Sequence, residues 1–341
     1  DIPNSRTSFE CFLGQPESDS FQFSHVHHSL VFEICKKMKP KTSSGTDFIS
    51  SKLLKIIMPI IIEPFCYLIN LSFKTGYIPQ EFKTAKVIPI FKSGERDDFN
   101  NYRPISLLSS FSKVFEKIVA KQVMSFINHR DLLYLHQYGF RKFHNTSHPV
   151  LHFLDKIYKA LDKTTPEFTL GIFIDLKKAF DTVDHQILLK KLNHYGFRNV
   201  SNTWFENYLT GRSQYVSING VNSQLNEMKC GVPQGLVLGP LLFLIFINDL
   251  PNSITKSFTG IFCDDTLIAN EIKSMDDSIQ LPNDLNNILE WTKLWGMSFN
   301  PVKCVHMTVT NKRNAISTRY YLDNQILEQK DMVKYLGVTY L

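Results

Sequence analysis

Two adjacent aspartates, Asp264 and Asp265, split an apolar run that extends from Phe258 to Ala269. No other feature of the chain restricts its local fold as much. The run reads as two short strands meeting at a turn, so the acids stand at the tip of a hairpin. Side by side between apolar strands, the carboxylates repel each other and lose hydration. An ordinary tight turn would carry Asn-Gly or Asp-Gly instead. A bound divalent cation would offset both costs, because carboxylate oxygens are the hard ligands that Mg²⁺ takes, completed by water and substrate phosphates. A solvated acidic turn is the competing reading.

A third acid stands in a related place. Asp175 ends the apolar segment Leu170-Gly-Ile-Phe-Ile-Asp175, where a strand passes into a helical period from Leu176 to about Leu192. Taken alone it reads as a helix N-cap. Together with the twin acids it offers a further ligand, and two cations about 3.5–4 Å apart could activate an attacking hydroxyl and stabilise a leaving pyrophosphate.

The remaining pattern alternates helices with short strands. Helical periods run from Leu30, from Ile49 to Phe73 with breaks expected at Pro59 and Pro64, and from Ile105 to Ile127. Further helices are expected over Val150–Leu161, from Pro240 to Leu250 and over Asp276–Trp295. Strands are expected over Lys86–Lys92, Thr169–Ile174, Tyr215–Asn219 and Gln224–Cys230. This order implies an α+β architecture and excludes a doubly wound sheet. Residues 1–28 read as an irregular N-terminal tail, 29–79 as a helical extension and 80–341 as the main domain.

Composition narrows the partners. The 341 residues are 43% hydrophobic, enough for a sizeable core, and carry a net charge of +6. Lysines crowd the first third, where a solvated face and a nucleic-acid groove are both open readings. Six cysteines without a Cys-x-x-Cys pair point to reduced thiols in an intracellular protein. The apolar stretch Leu236–Ile247 is too short to span a bilayer, so no membrane partner is expected. His144, His148 and His152 are spaced four apart, but Pro149 disrupts a shared helical face and argues against zinc. Asp1 rather than Met begins the chain, as in a piece of a longer polypeptide.

Six segments, in order, resemble the reverse transcriptases of non-LTR, LINE-type retrotransposons, nearest to the jockey-like group. They are Asn101-Tyr-Arg-Pro-Ile-Ser-Leu107, Gln137-Tyr-Gly-Phe-Arg-Lys142, Phe173-Ile-Asp-Leu-Lys-Lys-Ala-Phe-Asp181, Gly231-Val-Pro-Gln-Gly-Leu-Val-Leu-Gly-Pro-Leu-Leu-Phe243, Phe262-Cys-Asp-Asp265 and Tyr335-Leu-Gly337. The resemblance implies a right-hand polymerase made of fingers and palm, with the thumb absent because Leu341 ends the chain just past the last motif. It implies RNA-directed DNA synthesis with two Mg²⁺ ions, Mn²⁺ being a substitute. Template RNA (the element's own RNA), a DNA primer and dNTPs would be its partners. An upstream endonuclease in the full-length polypeptide and a nuclear and cytoplasmic ribonucleoprotein location are implied as well.

Carried over by position, Asp175, Asp264 and Asp265 form the metal triad, joined by the backbone carbonyl of Leu176. Arg103 contacts the triphosphate, since a guanidinium fork suits phosphate oxygens. Lys92 and Arg141 are phosphate or template contacts. Gln234 and Gly235 lie in the loop against the nascent base pair, a loop that otherwise reads as a plain helix entry. Lys303 is the general acid for pyrophosphate or a surface lysine. Phe180 is the steric gate beneath the incoming sugar or a core residue of its helix. Three departures stand out: Leu236 where a small Ser is usual, Cys263 for Ala, and the drifted block after Lys142. They keep open a catalytically decayed, domesticated nucleic-acid-binding scaffold. An RNA-templated RNA polymerase is opposed by the bulk of Phe180.

Overall fold

The computed structural model describes residues 11–162, 168–232, 235–273, 275–310 and 319–340. Contacts divide the chain into two compact units. The first gathers Asp1–Gln15, Leu133–Ala179 and Phe246–Leu341, and the second Pro16–Leu132 and Phe180–Ile245. The sequence division at residue 80 followed motif coverage, whereas these boundaries follow packing.

The elements begin with α1 (His28–Lys37), α2 (Ser51–Thr75), β1 (Thr84–Phe91), β2 (Tyr102–Leu107), α3 (Ser110–His129), α4 (Ser147–Leu161) and β3 (Phe168–Ile174). Next come α5 (His185–His194), α6 (Val200–Leu209), β4 (Ser213–Ile218), β5 (Val221–Asn222), β6 (Asn226–Glu227), α7 (Leu238–Ile247), β7 (Phe258–Phe262) and β8 (Asp265–Ile272). Helix α8 (Met275–Leu294) and β9 (Val305–Val309) precede the short strands β10 (Tyr321–Leu322), β11 (Gln325–Ile326), β12 (Glu328–Gln329), β13 (Val333–Tyr335) and β14 (Val338–Tyr340).

In the first unit the main sheet has the order β12-β9-β3-β8-β7. Strand β3 lies at its centre, antiparallel to β8 and β9, and every one of its residues is buried. Burial on both faces explains why its sequence is apolar at every position but Thr169, with no alternation. Phe153 and Ile157 of α4 pack with Phe173, Leu267 and Met307, and the β13–β14 hairpin adds Val333, Tyr335 and Tyr340 to that core.

The second unit carries a sheet of order β2-β1-β4-β5, with β6 also paired to β4. Its aromatic core centres on Trp204, stacked on Tyr208 at 5.5 Å, with Phe23, Phe73 and Phe115 around it. The stretch read as a tail is irregular in backbone yet packed. Phe21 and Val26 are buried, and the Val26 amide donates to Asn70 Oδ1 at 2.8 Å.

Three sequence expectations need correction. Ile105–Leu107 belongs to β2, paired with β1, and the helix starts only at Ser110. The helix expected from Leu176 starts at His185, and α6 was missed. Helix α2 runs unbroken through Pro59 and Pro64. Both prolines face outward, where water can reach the carbonyls they leave without a donor, while Leu54, Met58, Phe65, Ile69 and Phe73 anchor the inner face. The continuous helix is long and apolar enough to cross a membrane, by length and composition, although a third of its most apolar window is buried inside the unit.

An interior proline costs a helix about 3 kcal/mol relative to Ala, partly offset by the stiffer unfolded chain. Pro59→Ala should therefore stabilise the protein by about 1–2 kcal/mol in chemical denaturation. An unchanged or lower midpoint would show that α2 is not continuous there.

Candidate active site

Pairing between strands brings the acids together. Strands β3 and β8 align Ile174 with Thr266, so the next step of the ladder sets Asp175 beside Asp265. Strands β7 and β8 close with Phe262 opposite Asp265, which leaves Cys263 and Asp264 as a two-residue turn. Cys263 has φ of 62°, a left-handed value at a turn position that ordinarily takes Gly.

A brace holds this turn in place. The side-chain oxygen of Gln137, itself buried, accepts from the amides of Cys263 at 3.0 Å and Gly139 at 2.8 Å. A Cβ on Gly139 would lie 2.4 Å from the Cys263 nitrogen, so only glycine lets the two segments approach. The Tyr138 amide donates to Ile261 O at 2.8 Å, and Ile261 donates to His136 O at 2.9 Å. Arg141 Nη1 donates to the carbonyls of Tyr134 at 3.1 Å and Gln137 at 3.2 Å. The structure thus gives Arg141 a part in folding this segment. Gln137 and Gly139 were visible in the sequence only as members of a motif.

The acids differ in electrostatic supply. Asp175 Oδ2 has Lys303 Nζ at 2.8 Å and Asn300 Nδ2 at 3.2 Å. The Asn300 amide also donates to the Asp175 carbonyl at 2.9 Å, and Leu176 bridges to Phe299 through the backbone. The bond to Asp175 raises the pKa of the Lys303 ammonium. Asn300 was missed as a positioning group; only its neighbour Lys303 was singled out. Burial pushes Asp264 up, with Asp175 adding to the rise. Burial, then Asp264, then Asp175 push Asp265 up to about 6.

Oxygen-only donors short of positive charge fit a divalent cation. As they stand, no group of three or more His, Cys, Asp or Glu side chains among the described residues is arranged to hold a metal. The Lys303 ammonium occupies Asp175, so a cation would have to share or displace it. A cavity of about 400 Å³ opens beside Asp175 and Asp265 and is also lined by Lys303, Lys330, Lys334 and Tyr335. Of the three histidines spaced four apart, His152 has its Nδ1 2.5 Å from the Tyr138 hydroxyl.

The other singled-out residues belong to the second unit. Lys92 and Arg103 are exposed, the first just past β1 and the second on edge strand β2 opposite Ile90. Phe180 is half-buried in a turn and stacks on Phe243 at 4.5 Å, so it is no part of helix α5. Gly235 has φ of 100°, and Leu236 is buried at 5% exposure. Gln234 lies outside the described residues.

The raised Asp265 pKa fixes the sign of a pH effect. The folded state binds this proton more tightly than the unfolded chain, whose carboxyl titrates near 3.9. The stability it contributes is present below about pH 4 and lost as pH rises through about 6. In a chelator-treated sample, Asp265→Asn should gain on wild type across that window by up to about 3 kcal/mol, and no further above it. A difference between variant and wild type that is the same at pH 4 and pH 8 would refute the assignment.

Residues 90–340 match the family described as reverse transcriptase (RNA-dependent DNA polymerase). The chain is 30% identical over 343 residues to the probable RNA-directed DNA polymerase from transposon BS of Drosophila melanogaster, covering 96% of this chain and 37% of that protein. Against the RNA-directed DNA polymerase from mobile element jockey of the same fly, identity is 27% over 339 residues, with 97% and 37% covered. Against the retrovirus-related Pol polyprotein from type-1 retrotransposable element R2 of Popillia japonica it is 25% over 291 residues, with 79% and 39% covered. The chain spans well under half the length of these relatives. It belongs to the reverse transcriptase (RNA-dependent DNA polymerase) family, and within that family it resembles the proteins of jockey-like non-LTR retrotransposons.

Proposed function

We propose that this chain is the fingers and palm of an RNA-directed DNA polymerase that adds dNTPs to a primer 3′-hydroxyl on an RNA template. The observation that carries the proposal is the side-by-side setting of Asp175 and Asp265, with Asp264 in the adjoining turn, at one end of a fully buried strand. Family membership adds the reaction class.

Asp175, Asp264 and Asp265 would hold two Mg²⁺ ions, with the Leu176 carbonyl as a further ligand. When bound, such ions polarise the primer hydroxyl and neutralise charge on the departing pyrophosphate. The protein's own groups do the rest. Lys303, kept protonated by its contact with Asp175, carries a proton at Nζ that can pass to the leaving phosphate oxygen. Arg103 and Lys92, both exposed, supply positive charge for the triphosphate or template phosphates. Phe180, braced by its stack on Phe243, presents a rigid ring suited to excluding a ribose 2′-hydroxyl.

Primer extension on a homopolymer RNA template with Mg²⁺ or Mn²⁺ tests the reading. Wild type should extend the primer with dNTPs. Asp264→Asn should lose activity by several orders of magnitude while its melting temperature holds or rises, since a repelling charge is removed. Full activity in that variant would end the metal assignment.

The gate is tested separately. Phe180→Val should raise ribonucleotide relative to deoxynucleotide incorporation by at least about tenfold, because the pocket gains room without losing a ligand. If the ring serves only packing, truncation lowers both together through stability, by roughly 1–3 kcal/mol for a half-buried ring. An unchanged ratio in the folded variant removes the gate.

A further inference from the structure

We propose that Glu116 is a positioning residue for the nucleotide pocket: its carboxylate fixes the first turn of α7 and, through it, the loop at Gly235 and Leu236. The inference rests on the polymerase reading for what the loop does, and on geometry alone for what Glu116 holds.

Glu116 lies on α3 and is fully buried, with the apolar Phe115, Val119 and Val123 around it on the same helix. A buried carboxylate persists only where donors satisfy it. Here Oε1 accepts from the Tyr208 hydroxyl at 2.9 Å. Oε2 accepts from the Val237 amide at 2.7 Å and from the Leu238 amide at 3.4 Å. Those amides open α7, where no intrahelical partner exists for them and where the helix dipole favours an anion. Arg212, 1% exposed, donates to the Tyr208 carbonyl at 3.0 Å and lies over the Tyr208 ring at 4.8 Å, supplying countercharge from α6's end.

A cap of this kind would be ordinary if it held only a helix. What distinguishes it is the loop immediately upstream. Gly235 has φ of 100°, and a Cβ there would meet the Ser106 carbonyl oxygen at 2.9 Å. Gly235 is therefore pressed against β2, the strand that carries Arg103. Its other end is tied as firmly. The Val232 amide donates to the Phe180 carbonyl at 2.8 Å, the Gly231 amide to Val183 O at 2.8 Å, and His185 Nε2 lies 2.8 Å from Gly231 O. One anchor thus belongs to the backbone of Phe180 and the other to the side chain of Glu116. The backbone anchor tolerates most substitutions. The carboxylate does not, which makes residue 116 the side chain that sets the Gly235 end, as His185 meets the Gly231 end.

Two measurements test this, on wild type, Glu116→Leu, Glu116→Gln and Tyr208→Phe. Glutamine can still accept from the Val237 amide while its amino group donates to the Tyr208 oxygen, so Glu116→Gln should resemble wild type. Loss of a charged hydrogen bond corresponds to about tenfold in affinity, so Glu116→Leu should raise KM for dNTP about tenfold. Its kcat and its affinity for primer-template should change little. Tyr208→Phe keeps the amide contacts and should raise KM by only about threefold. A role in stability alone would lower the active fraction and leave KM unmoved. Hydrogen exchange is the second readout: the amides of Val237 and Leu238 should exchange faster in Glu116→Leu, while α3 and α6 keep their protection. Unchanged exchange there overturns the clamp, and faster exchange with unchanged KM overturns its tie to the pocket. If Glu116→Leu fails to fold, Tyr208→Phe with wild-type KM and wild-type exchange overturns the proposal. A wild-type chain that extends no primer defeats the polymerase reading, and the exchange data then decide the clamp by themselves.

Discussion

Mutual repulsion among Asp175, Asp264 and Asp265 is the constraint on which the rest of the first unit depends. Three like charges at one end of an apolar sheet would spread apart in a flexible scaffold, so the scaffold must be stiff. Strand β3 provides stiffness by being buried throughout and paired on both sides. The turn provides it at the expense of backbone comfort, with Cys263 held left-handed. Gln137 meets the turn's Cys263 amide, and Gly139 lets that contact close. Lys303 and Asn300 hold the third carboxylate from another segment. Each of these is a local cost or commitment that makes sense only if the acids must stay close.

The second unit solves the same problem the other way. Burial raises the pKa of Glu116 as it raises that of Asp265, but Glu116 is met by a hydroxyl, two amides and the nearby Arg212. The shift of Asp265 has no donor among its causes; two neighbouring acids oppose its ionisation and only Lys303 favours it. A buried carboxylate surrounded by donors is already satisfied and works as a strut. One flanked by other carboxylates is left short of positive charge, with Lys303 as the cation that favours its ionisation. The contrast separates the two kinds of buried acid by their surroundings, without reference to any motif.

The same contrast explains what could be read beforehand. The hairpin of Asp264 and Asp265 was legible because two acids inside an apolar run admit few backbone solutions, and β3 was legible because a short apolar run bounded by a polar segment and an acid reads as a buried strand. Helix boundaries were not. Ile105–Leu107 and the turn at 176–182 carry apolar residues at spacings compatible with a helix, and only pairing with β1 or the demands of the turn decide otherwise. Proline in α2 signalled a break, since a local rule cannot register the inner-face packing that outweighs it. Gln137 and Cys263 are 126 positions apart, and no local periodicity encodes a hydrogen bond of that reach. Glu116 gave a faint signal, a charge among apolar neighbours on one helix, which was indistinguishable from an exposed position until the helix phase was known.

Register is where these strands of argument meet. A strand buried on both faces has no polar side to fix its pairing, and a slip of one residue would turn Asp175 to the opposite face. The apolar side chains of β3 therefore cannot by themselves hold the acid in place. What pins the acids' end of the sheet is local: a two-residue turn between β7 and β8, the Gln137 contact to Cys263, and, for β3, the hydrogen bond from the Asn300 amide to the Asp175 carbonyl. These groups cluster about the acids and not along the strand. The geometry of the candidate site is thus fixed by its immediate surroundings, which leaves the apolar core behind it free to vary in sequence so long as it stays filled.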